Sequence, residues 1–353
     1  MTGIRDIDTP AVLIDLDKVE RNLRAAQAFA DRHGIRLRPH IKTHKLPRFA
    51  LRQVALGAVG ITCQKLGEAE VMADAGLTDI FLPYNILGAA KLARLKALAD
   101  RVDLKVTADS VTTVNGYART FAGAPRELLV LVECDTGGHR AGVQTPEAAV
   151  ELARHIAAAP GLRFAGLMTF PAKRTIADSN AWLARAVALL EAAGLPPEVV
   201  TTGGTPDLWH ADDVTVATEY RPGTYIYLDR FQVAEGVGTF DDCALTVLAT
   251  VVSRPTARRV VLDTGSKALT SDTLGLTGYG CILEYPDAVI AQLSEEHAVV
   301  DLPEDSAAPE IGELVRIVPN HACPVTNLFD EVVLVRGDDV IETVPVAARG
   351  KVS

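Results

Sequence analysis

The segment 38–45 (RPHIKTHK) carries the residue types with the most obvious chemical potential in this sequence. Two lysines alternate with His40 and His44 directly after a short apolar run. A lysine whose pKa is lowered by neighbouring cations can attack a carbonyl and form a Schiff base. Basic residues in a solvated loop would have the same composition, but Pro39 and the two interleaved imidazoles are poorly suited to that purpose. The segment therefore predicts a nucleophilic lysine, with the two histidines as candidate catalytic groups.

A second cluster, Thr201-Thr202-Gly203-Gly204-Thr205, has the composition of an anion-binding loop. Adjacent glycines let backbone N–H groups approach an anion closely, and the threonine hydroxyls add donors. In barrels of alternating strands and helices, the loops after the last strands commonly bind phosphate. A tight turn without a ligand is the alternative interpretation.

Two further segments join glycines to polar side chains. In 133–142 (ECDTGGHRAG), Arg140 lies near two glycines and could donate hydrogen bonds to the phenolate oxygen of a cofactor. In 219–225 (EYRPGTY), Gly223 and Tyr225 could contact a phosphate through backbone and hydroxyl. An acid-lined helix entry and a simple turn, respectively, are the alternatives.

The pair His321 and Cys323 has the donor atoms of a metal site. Imidazole and thiolate suit zinc and other borderline metals. We expect an extended segment here, on which the His-x-Cys spacing puts both side chains on one face. Two ligands are too few for a structural site and fit a catalytic site whose other positions take water or substrate. A core histidine beside a free cysteine is the alternative.

Strand-like and helix-like runs alternate over the first two thirds of the chain. The predicted strands span 35–39, 59–63, 79–83, 103–107, 128–134, 163–169, 198–202 and 214–219. The predicted helices between them include 45–57, 67–76, 88–100, 146–158 and 178–194. Continuous apolar strands alternating with helices are typical of a parallel sheet covered by helices, and eight is the number of a closed (β/α)₈ barrel. A doubly wound open sheet is the alternative, and the missing G-x-G-x-x-G makes it less favoured.

After about residue 238 the pattern becomes a series of short strands, at 244–253, 258–264, 288–293, 298–302, 313–318 and 331–336. The segment 11–16 near the start is also strand-like and precedes an amphipathic helix at 17–33. We expect this first strand to pair with the C-terminal strands. The predicted domains are a barrel at 17–237 and a mostly β domain at 238–353 that includes about 1–16.

Composition narrows the class of protein. The 353 residues are 48% hydrophobic and 23% charged, which is typical of a globular protein with a large core. The net charge of −10 disfavours nucleic acid and anionic membranes as partners. The five cysteines are widely spaced, and the start of the chain has no apolar core of a signal peptide. No apolar stretch reaches the roughly 18 residues of a membrane span, so we expect a cytoplasmic protein.

The clusters occur in an order that resembles one enzyme family. The series comprises PHIKTHK (39–45), DTGGHRAG (135–142), TTGGT (201–205), EYRPG (219–223), DTGSKALTSD (263–272), EEH (295–297) and PNHAC (319–323). It resembles the D-threonine aldolase / D-serine dehydratase family of pyridoxal 5′-phosphate (PLP) enzymes over most of the chain. The resemblance implies the alanine-racemase-like fold, type III: a PLP-binding (β/α)₈ barrel followed by a mostly β domain.

The resemblance also implies roles for individual residues. Lys42 corresponds to the Schiff-base lysine, and Arg140 to the arginine on the O3′ side of the cofactor. The phosphate of PLP would be held by Gly203, Gly204, Thr205 and Tyr225, and a divalent metal, Zn or Mn, by His321 and Cys323. Asp263, Lys267, Asp272 and His297 lie in matching segments without an assigned role. Such enzymes are homodimers with sites near the subunit interface, and their substrates are small D-amino acids.

The sequence departs from the family at one motif. Members usually carry a Tyr-x-Gly-His-like segment whose histidine assists at the substrate hydroxyl, whereas this chain has Met168-Thr169-Phe170-Pro171-Ala172. The His-x-Cys pair is more like the dehydratases, since typical aldolases have His-x-Asp. Retro-aldol cleavage and dehydration of a D-3-hydroxy amino acid therefore both stay open. The alternatives are an amino-acid racemase, for which a metal has no use, and a non-catalytic PLP-binding protein.

Overall fold

The computed structural model describes residues 3–304 and 306–353, so residues 1, 2 and 305 of the predicted β domain lie outside the described residues. The strands are β1 (Ala11–Asp15), β2 (Arg36–Leu37), β3 (Ile61–Thr62), β4 (Asp79–Leu82), β5 (Asp103–Ala108), β6 (Leu128–Cys134), β7 (Leu162–Thr169), β8 (Val199–Thr202), β9 (Glu219–Tyr220), β10 (Leu245–Thr256), β11 (Arg259–Leu262), β12 (Cys281–Ile282), β13 (Val289–Leu293), β14 (Ala298–Asp301), β15 (Leu314–Val318), β16 (Glu331–Arg336) and β17 (Asp339–Pro345).

The helices are α1 (Leu16–His33), α2 (Pro47–Leu56), α3 (Leu66–Asp74), α4 (Ala89–Ala99), α5 (Val111–Phe121), α6 (Pro146–Ala158), α7 (Ile176–Ala192), α8 (Arg230–Ala234), α9 (Ser266–Leu269) and α10 (Ala322–Leu328). Helix α6 begins as its sequence predicts, because the Thr145 hydroxyl accepts the N–H of Ala148 and Pro146 occupies the first turn. No helix in the described ranges has the length and apolar character needed to span a membrane.

The chain divides into two compact units. One contains the residues up to Ala25, Thr43–Lys45 and Thr224–Gly350, and the other contains Ala26–Lys42, Leu46–Gly223 and Lys351–Ser353. The predicted domain boundary near residue 238 stays a prediction. We call the second of these the barrel unit and the first the β unit.

The barrel unit contains a parallel sheet of eight strands in the order β2-β9-β8-β7-β6-β5-β4-β3. Its two end strands are joined by the bridge between His40 and Thr62 and by the hydrogen bond from the Val59 N–H to the Leu37 carbonyl (2.9 Å), so the sheet closes on itself. The predicted alternation of eight strands with helices is confirmed. The last predicted strand, 214–219, is wrong in extent, since β9 covers only Glu219–Tyr220 and the preceding residues form turns.

A buried ion network lies inside the barrel. Arg38, only 2% exposed, donates to Glu219 Oε2 (2.8 Å) and to Asp79 Oδ1 (2.6 Å), and Lys105 Nζ also reaches Asp79 Oδ1 (3.0 Å). Burial alone would raise the pKa of Asp79, but the bonds and charges of Arg38 and Lys105 hold that pKa below its ordinary value. Arg38 therefore belongs to the interior of the barrel, although its sequence context is a basic segment.

Tight contact between neighbouring strands requires glycine at one position of β7. The φ of Gly166 is +146°, and a Cβ there would lie 1.8 Å from the carbonyl oxygen of Val199 on β8. Any side chain would force the two strands apart, because the carbonyl oxygen is part of the backbone and cannot move away as a flexible side chain could.

The β unit contains a mostly antiparallel sheet in the order β13-β14-β11-β10-β1-β16-β17, with β15 paired to β10 and β12. Strand β1 pairs antiparallel with β10 and parallel with β16, which confirms that the N-terminal strand joins the C-terminal ones. Because β1 has a neighbouring strand on each side, its first four residues, Ala11 to Ile14, are all buried. The predicted fold class, a (β/α)₈ barrel followed by a mostly β segment, is confirmed.

Candidate active site

Lys42 lies in the 3₁₀ turn Ile41–Thr43, a few residues past the carboxyl end of β2. Its backbone N–H donates to Nδ1 of His40 (3.3 Å), and Nε2 of His40 lies 3.1 Å from Oε1 of Gln64. Nδ1 of His40 thus accepts a hydrogen bond, and Nε2 of a neutral ring donates one to Gln64. These two contacts orient the imidazole against the lysine turn.

The other lysine of the segment has a structural partner. Lys45 is 6% exposed, its Nζ lies 3.4 Å from the carbonyl oxygen of Ala348, and the Ala348 N–H donates to the Lys45 carbonyl (3.1 Å). His44, beside it, is completely buried in the same unit. Lys42 is half-buried, so its amine has access that the Lys45 amine does not have. Of the two lysines, Lys42 is therefore the more accessible.

The loop after β8 requires glycine at its first position. Gly203 has φ +134°, and a Cβ there would lie 2.6 Å from the backbone N of Arg221, so only glycine fits without strain. A Cβ on Gly204 would make only an ordinary contact, 3.5 Å from the Phe170 ring. Thr202 Oγ1 is buried without a hydrogen-bond partner within residues 3–304 and 306–353, while Thr205 Oγ1 accepts the Gly223 N–H (3.3 Å).

Tyr225 lies in the β unit. It occupies the 3₁₀ turn Thr224–Ile226 and is 4% exposed. The buried position gives its ring a fixed orientation within that unit.

Arg140 stands exposed in the loop after β6. Its guanidinium lies over the Phe170 ring, 4.8 Å from the centroid, and that ring is itself 46% exposed. The Asp135 carboxylate orders the loop by accepting the N–H groups of Gly137 and His139, each at 3.0 Å. Phe170 lies in the segment where this sequence departs from the family motif. It thus forms a cation–π pair with Arg140, the arginine proposed to contact the cofactor.

Two charged side chains at the carboxyl ends of barrel strands were not singled out by the sequence. Arg221 is buried and donates to the Thr169 carbonyl (2.7 Å) and to Thr201 Oγ1. Burial lowers the pKa of Arg221 to about 10, against the opposing charges of Glu219 and Glu133. Burial, and then the charge of Asp109, raises the pKa of Glu133. The sequence signal for Glu133 is an ionisable residue at the end of a continuous apolar strand, whereas Arg221 follows the two-residue strand β9 and has no such signal.

His321 and Cys323 lie at the start of a helix, so the prediction of an extended segment is wrong. His321 is the N-cap residue of α10 and Cys323 lies in its first turn. The helix begins here because the Asp229 carboxylate accepts the Ala322 N–H (2.9 Å) and because Pro324 is tolerated in a first turn. The imidazole still bonds the Cys323 side chain, so the two donors are adjacent.

The surroundings of this pair are polar. Cys323 Sγ lies 3.1 Å from Thr43 Oγ1 and 3.7 Å from Thr224 Oγ1, and His321 Nδ1 lies 2.8 Å from Asp272 Oδ2. Burial lowers the pKa of His321, but the hydrogen bond and charge of Cys323, the hydrogen bond of Asp272 and the charge of Asp229 outweigh it and raise the pKa to about 9. No group of three or more His, Cys, Asp or Glu side chains with metal-site geometry occurs in the described parts of the chain. A metal bound here would complete its coordination with water or substrate.

The unassigned residues of the β unit have distinct partners. Asp263 accepts the Thr250 N–H (2.8 Å) and the Thr9 hydroxyl, which ties down the N-terminal segment. Lys267 pairs with the exposed Glu295 (3.0 Å) and Glu296 (2.6 Å). The backbone carbonyl of His297 closes a turn with Ser294. Asp272 alone of the four touches the His321–Cys323 pair.

Two family models match the chain: alanine racemase, N-terminal domain, over residues 14–230, and putative serine dehydratase domain over residues 244–335. The chain is 37% identical to D-threonine aldolase of Arthrobacter sp, over 98% of this chain and 93% of that one. Among solved structures, D-threonine aldolase from Filomicrobium marinum has TM-score 0.93 and 36% identity, with 100% and 99% of the two chains covered.

A dehydratase is similar over nearly the same length. It is a cysteine-to-alanine mutant of D-threo-3-hydroxyaspartate dehydratase in the metal-free form, with TM-score 0.89 and 32% identity, covering 97% of this chain and 98% of that one. The similarity to aldolases and dehydratases therefore extends through both units.

Proposed function

The chain belongs to the alanine-racemase-like family of D-threonine aldolases and D-3-hydroxyaspartate and D-serine dehydratases, and on this premise we propose that it is a PLP- and metal-dependent lyase of D-3-hydroxy amino acids. The observation that carries the proposal is the adjacency of His321 and Cys323 in a chain whose other unit is a barrel of the PLP-binding kind. A racemase or a simple PLP carrier has no use for an imidazole–thiol pair.

The family implies PLP, and the barrel unit offers groups that suit it. PLP supplies an electron sink for the bond that breaks at Cα. Lys42 would hold the cofactor covalently, and Arg140 would donate to its phenolate oxygen. Gly203 and Gly204 would offer backbone N–H groups to the phosphate, with hydroxyls from Thr205 and Thr202. The restriction of position 203 to glycine and the unpaired, buried Thr202 hydroxyl support this placement.

A metal is suggested by the relative described in a metal-free form. The imidazole and thiolate donors here fit zinc better than manganese, which prefers oxygen ligands. The ion would act as a Lewis acid toward the oxygen on the substrate's β-carbon. His321 and Cys323 are its proposed ligands. The hydroxyls of Thr43 and Thr224 near Sγ would stabilise the thiolate form by hydrogen bonding.

Two sets of products are compatible with these groups. In cleavage, the β-hydroxyl would lose its proton, the Cα–Cβ bond would break, and Cα would take up a proton, which gives glycine and an aldehyde. In dehydration, the Lys42 amine takes the Cα proton, the hydroxyl leaves, and hydrolysis gives a keto acid and ammonia. In cleavage the proton of the hydroxyl would pass to water, or to His40 or His44.

The experiment is a product analysis. The purified protein is supplied with PLP and with Mn²⁺ or Zn²⁺. It is then incubated with D-threonine, D-serine or D-3-hydroxyaspartate in separate reactions. Glycine with an aldehyde identifies an aldolase, and keto acid with ammonia identifies a dehydratase. Inversion at Cα without a carbonyl product, or turnover unaffected by removal of the metal, would contradict the proposal.

We also propose that the protein is a homodimer acting on small D-amino acids, as the relatives' names indicate for their substrates. Light scattering after size-exclusion chromatography measures the mass directly, and a mass equal to one chain would contradict the dimer.

A further inference from the structure

We propose that Asp272 is a positioning residue of the metal centre, which holds Nδ1–H of His321 and so presents Nε2 to the ion. The inference rests on the proposed function, in which His321 is a metal ligand. The direct observation is the 2.8 Å distance between Asp272 Oδ2 and His321 Nδ1. These residues are 49 positions apart in the sequence, so the contact exists only because the fold creates it.

The tautomer follows from this contact. A carboxylate accepts hydrogen bonds and does not donate them, so the neutral ring must carry its proton on Nδ1. Nε2 is then the nitrogen left for a metal, which would take the place of any proton there. Histidine ligands in proteins commonly donate their other ring N–H to a carboxylate, which fixes ring orientation and increases ligand basicity.

The segment that carries Asp272 is fastened at the backbone. Asn320, 1% exposed, uses its side-chain amide to donate to the carbonyls of Asp272 (3.2 Å) and Gly278 (2.8 Å). The Arg230 guanidinium in turn donates to Asn320 Oδ1 (3.1 Å) and to the Thr277 carbonyl (2.7 Å). Asn320, which directly precedes His321, thus connects the loop that carries Asp272 to the start of α10.

The imidazole side of the contact is equally well fixed. The Asp229 carboxylate accepts the N–H groups of Ala322 (2.9 Å) and Gln232 (3.0 Å), which joins the start of α10 to the start of α8. Both partners of the carboxylate–imidazole contact are therefore anchored by buried polar groups. An ordinary surface ion pair, in which two long side chains meet in solvent, has no such anchoring and contributes little.

The test measures metal affinity of the PLP-loaded protein with Co²⁺, followed by the absorbance of a thiolate–cobalt bond, and with Zn²⁺ in competition with a chelator. Asp272→Ala should weaken binding about 10- to 100-fold. Asp272→Asn keeps an acceptor oxygen of the same shape and should recover part of the loss. Lys267→Ala is the matched control on the same segment and should bind as the parent does, because its ion pairs are exposed.

The variants separate the two proposals. If His321→Ala loses Co²⁺ and Asp272→Ala binds it as tightly as the parent, the role of Asp272 is refuted and the metal site stands. If His321→Ala itself binds Co²⁺ unchanged, the metal assignment fails and the role of Asp272 fails with it. Thermal unfolding of each variant is measured in parallel, since a purely structural role would lower the melting temperature of Asp272→Asn and leave its metal affinity intact. That outcome would also refute the proposal.

Discussion

The substitution Gly203→Ala should weaken PLP binding while its neighbour Gly204→Ala should not. At position 203 the new Cβ would lie 2.6 Å from the Arg221 nitrogen and 3.2 Å from the Tyr220 ring, with a φ of +134°. The Arg221 N–H already donates to the Thr202 carbonyl (2.9 Å), so the neighbouring strand resists moving away. The loop itself must therefore shift, and it carries the N–H groups proposed to hold the phosphate.

The magnitude follows from the backbone strain. A non-glycine residue in such a conformation costs about 1–3 kcal/mol. If the loop relieves this strain by leaving the geometry that binds phosphate, the whole cost appears as lost affinity, and the dissociation constant of PLP rises about 5- to 150-fold. At position 204 the nearest contact would be 3.5 Å to a movable aromatic ring, so the expected change is within about twofold.

The assay is a titration of the cofactor-free protein with PLP, followed by absorbance and tryptophan fluorescence. Urea unfolding of the cofactor-free variants distinguishes local strain from loss of the fold. PLP affinity of Gly203→Ala within twofold of the parent would refute the reasoning, and so would an equal loss in the Gly204→Ala control.

Three further outcomes are expected. Lys42→Ala should lose the visible absorbance that a lysine-linked PLP gives, whereas Lys45→Ala should retain it in the folded fraction; the reverse pattern would move the assignment to Lys45. Arg38→Met should lower the free energy of unfolding by about 3–5 kcal/mol, because it leaves Glu219 buried without its partner. As a control, Arg36→Met on the exposed side of the same strand should change the free energy of unfolding by less than about 1 kcal/mol. Equal effects of the two substitutions in denaturant titrations would contradict the buried network. Removal of the metal with a chelator should abolish lyase turnover and leave the PLP absorbance intact, with recovery on adding Zn²⁺ or Mn²⁺; full activity without metal would refute the role of the imidazole–thiol pair.

The sequence predicted the elements of the barrel because their signals are local. A parallel sheet is covered by helices on both faces, so its strands are continuously apolar. This pattern can be recognised within each short segment, without knowing which segments contact each other. The strand at 128–134 and the helix at 146–158 lie where they were predicted. The strand predicted at 214–219 was too long, because two residues of β9 suffice to bridge β2 and β8 once the sheet is closed.

The His-x-Cys segment shows how a local signal misleads. Its composition suits a strand, and Pro324 would ordinarily argue against a helix. The helix begins because Asp229, far away in the sequence, accepts the N–H of Ala322, and because proline needs no donor in a first turn. The residue types alone identified His321 and Cys323 as candidate ligands. Their backbone conformation depends on Asp229, which is distant in the sequence.

The sequence by itself determined the fold class, the order of the motifs and the chemistry that their residue types allow, since each of these is written in short stretches of chain. The tertiary structure decided which groups act on one another. It buried Arg38 inside the barrel, gave Lys45 a backbone partner while leaving Lys42 accessible, and brought Asp272 to His321. The physical reason is that a pKa, a tautomer or an accessible amine depends on what lies within a few ångströms in space, and those neighbours come from segments that no local pattern connects.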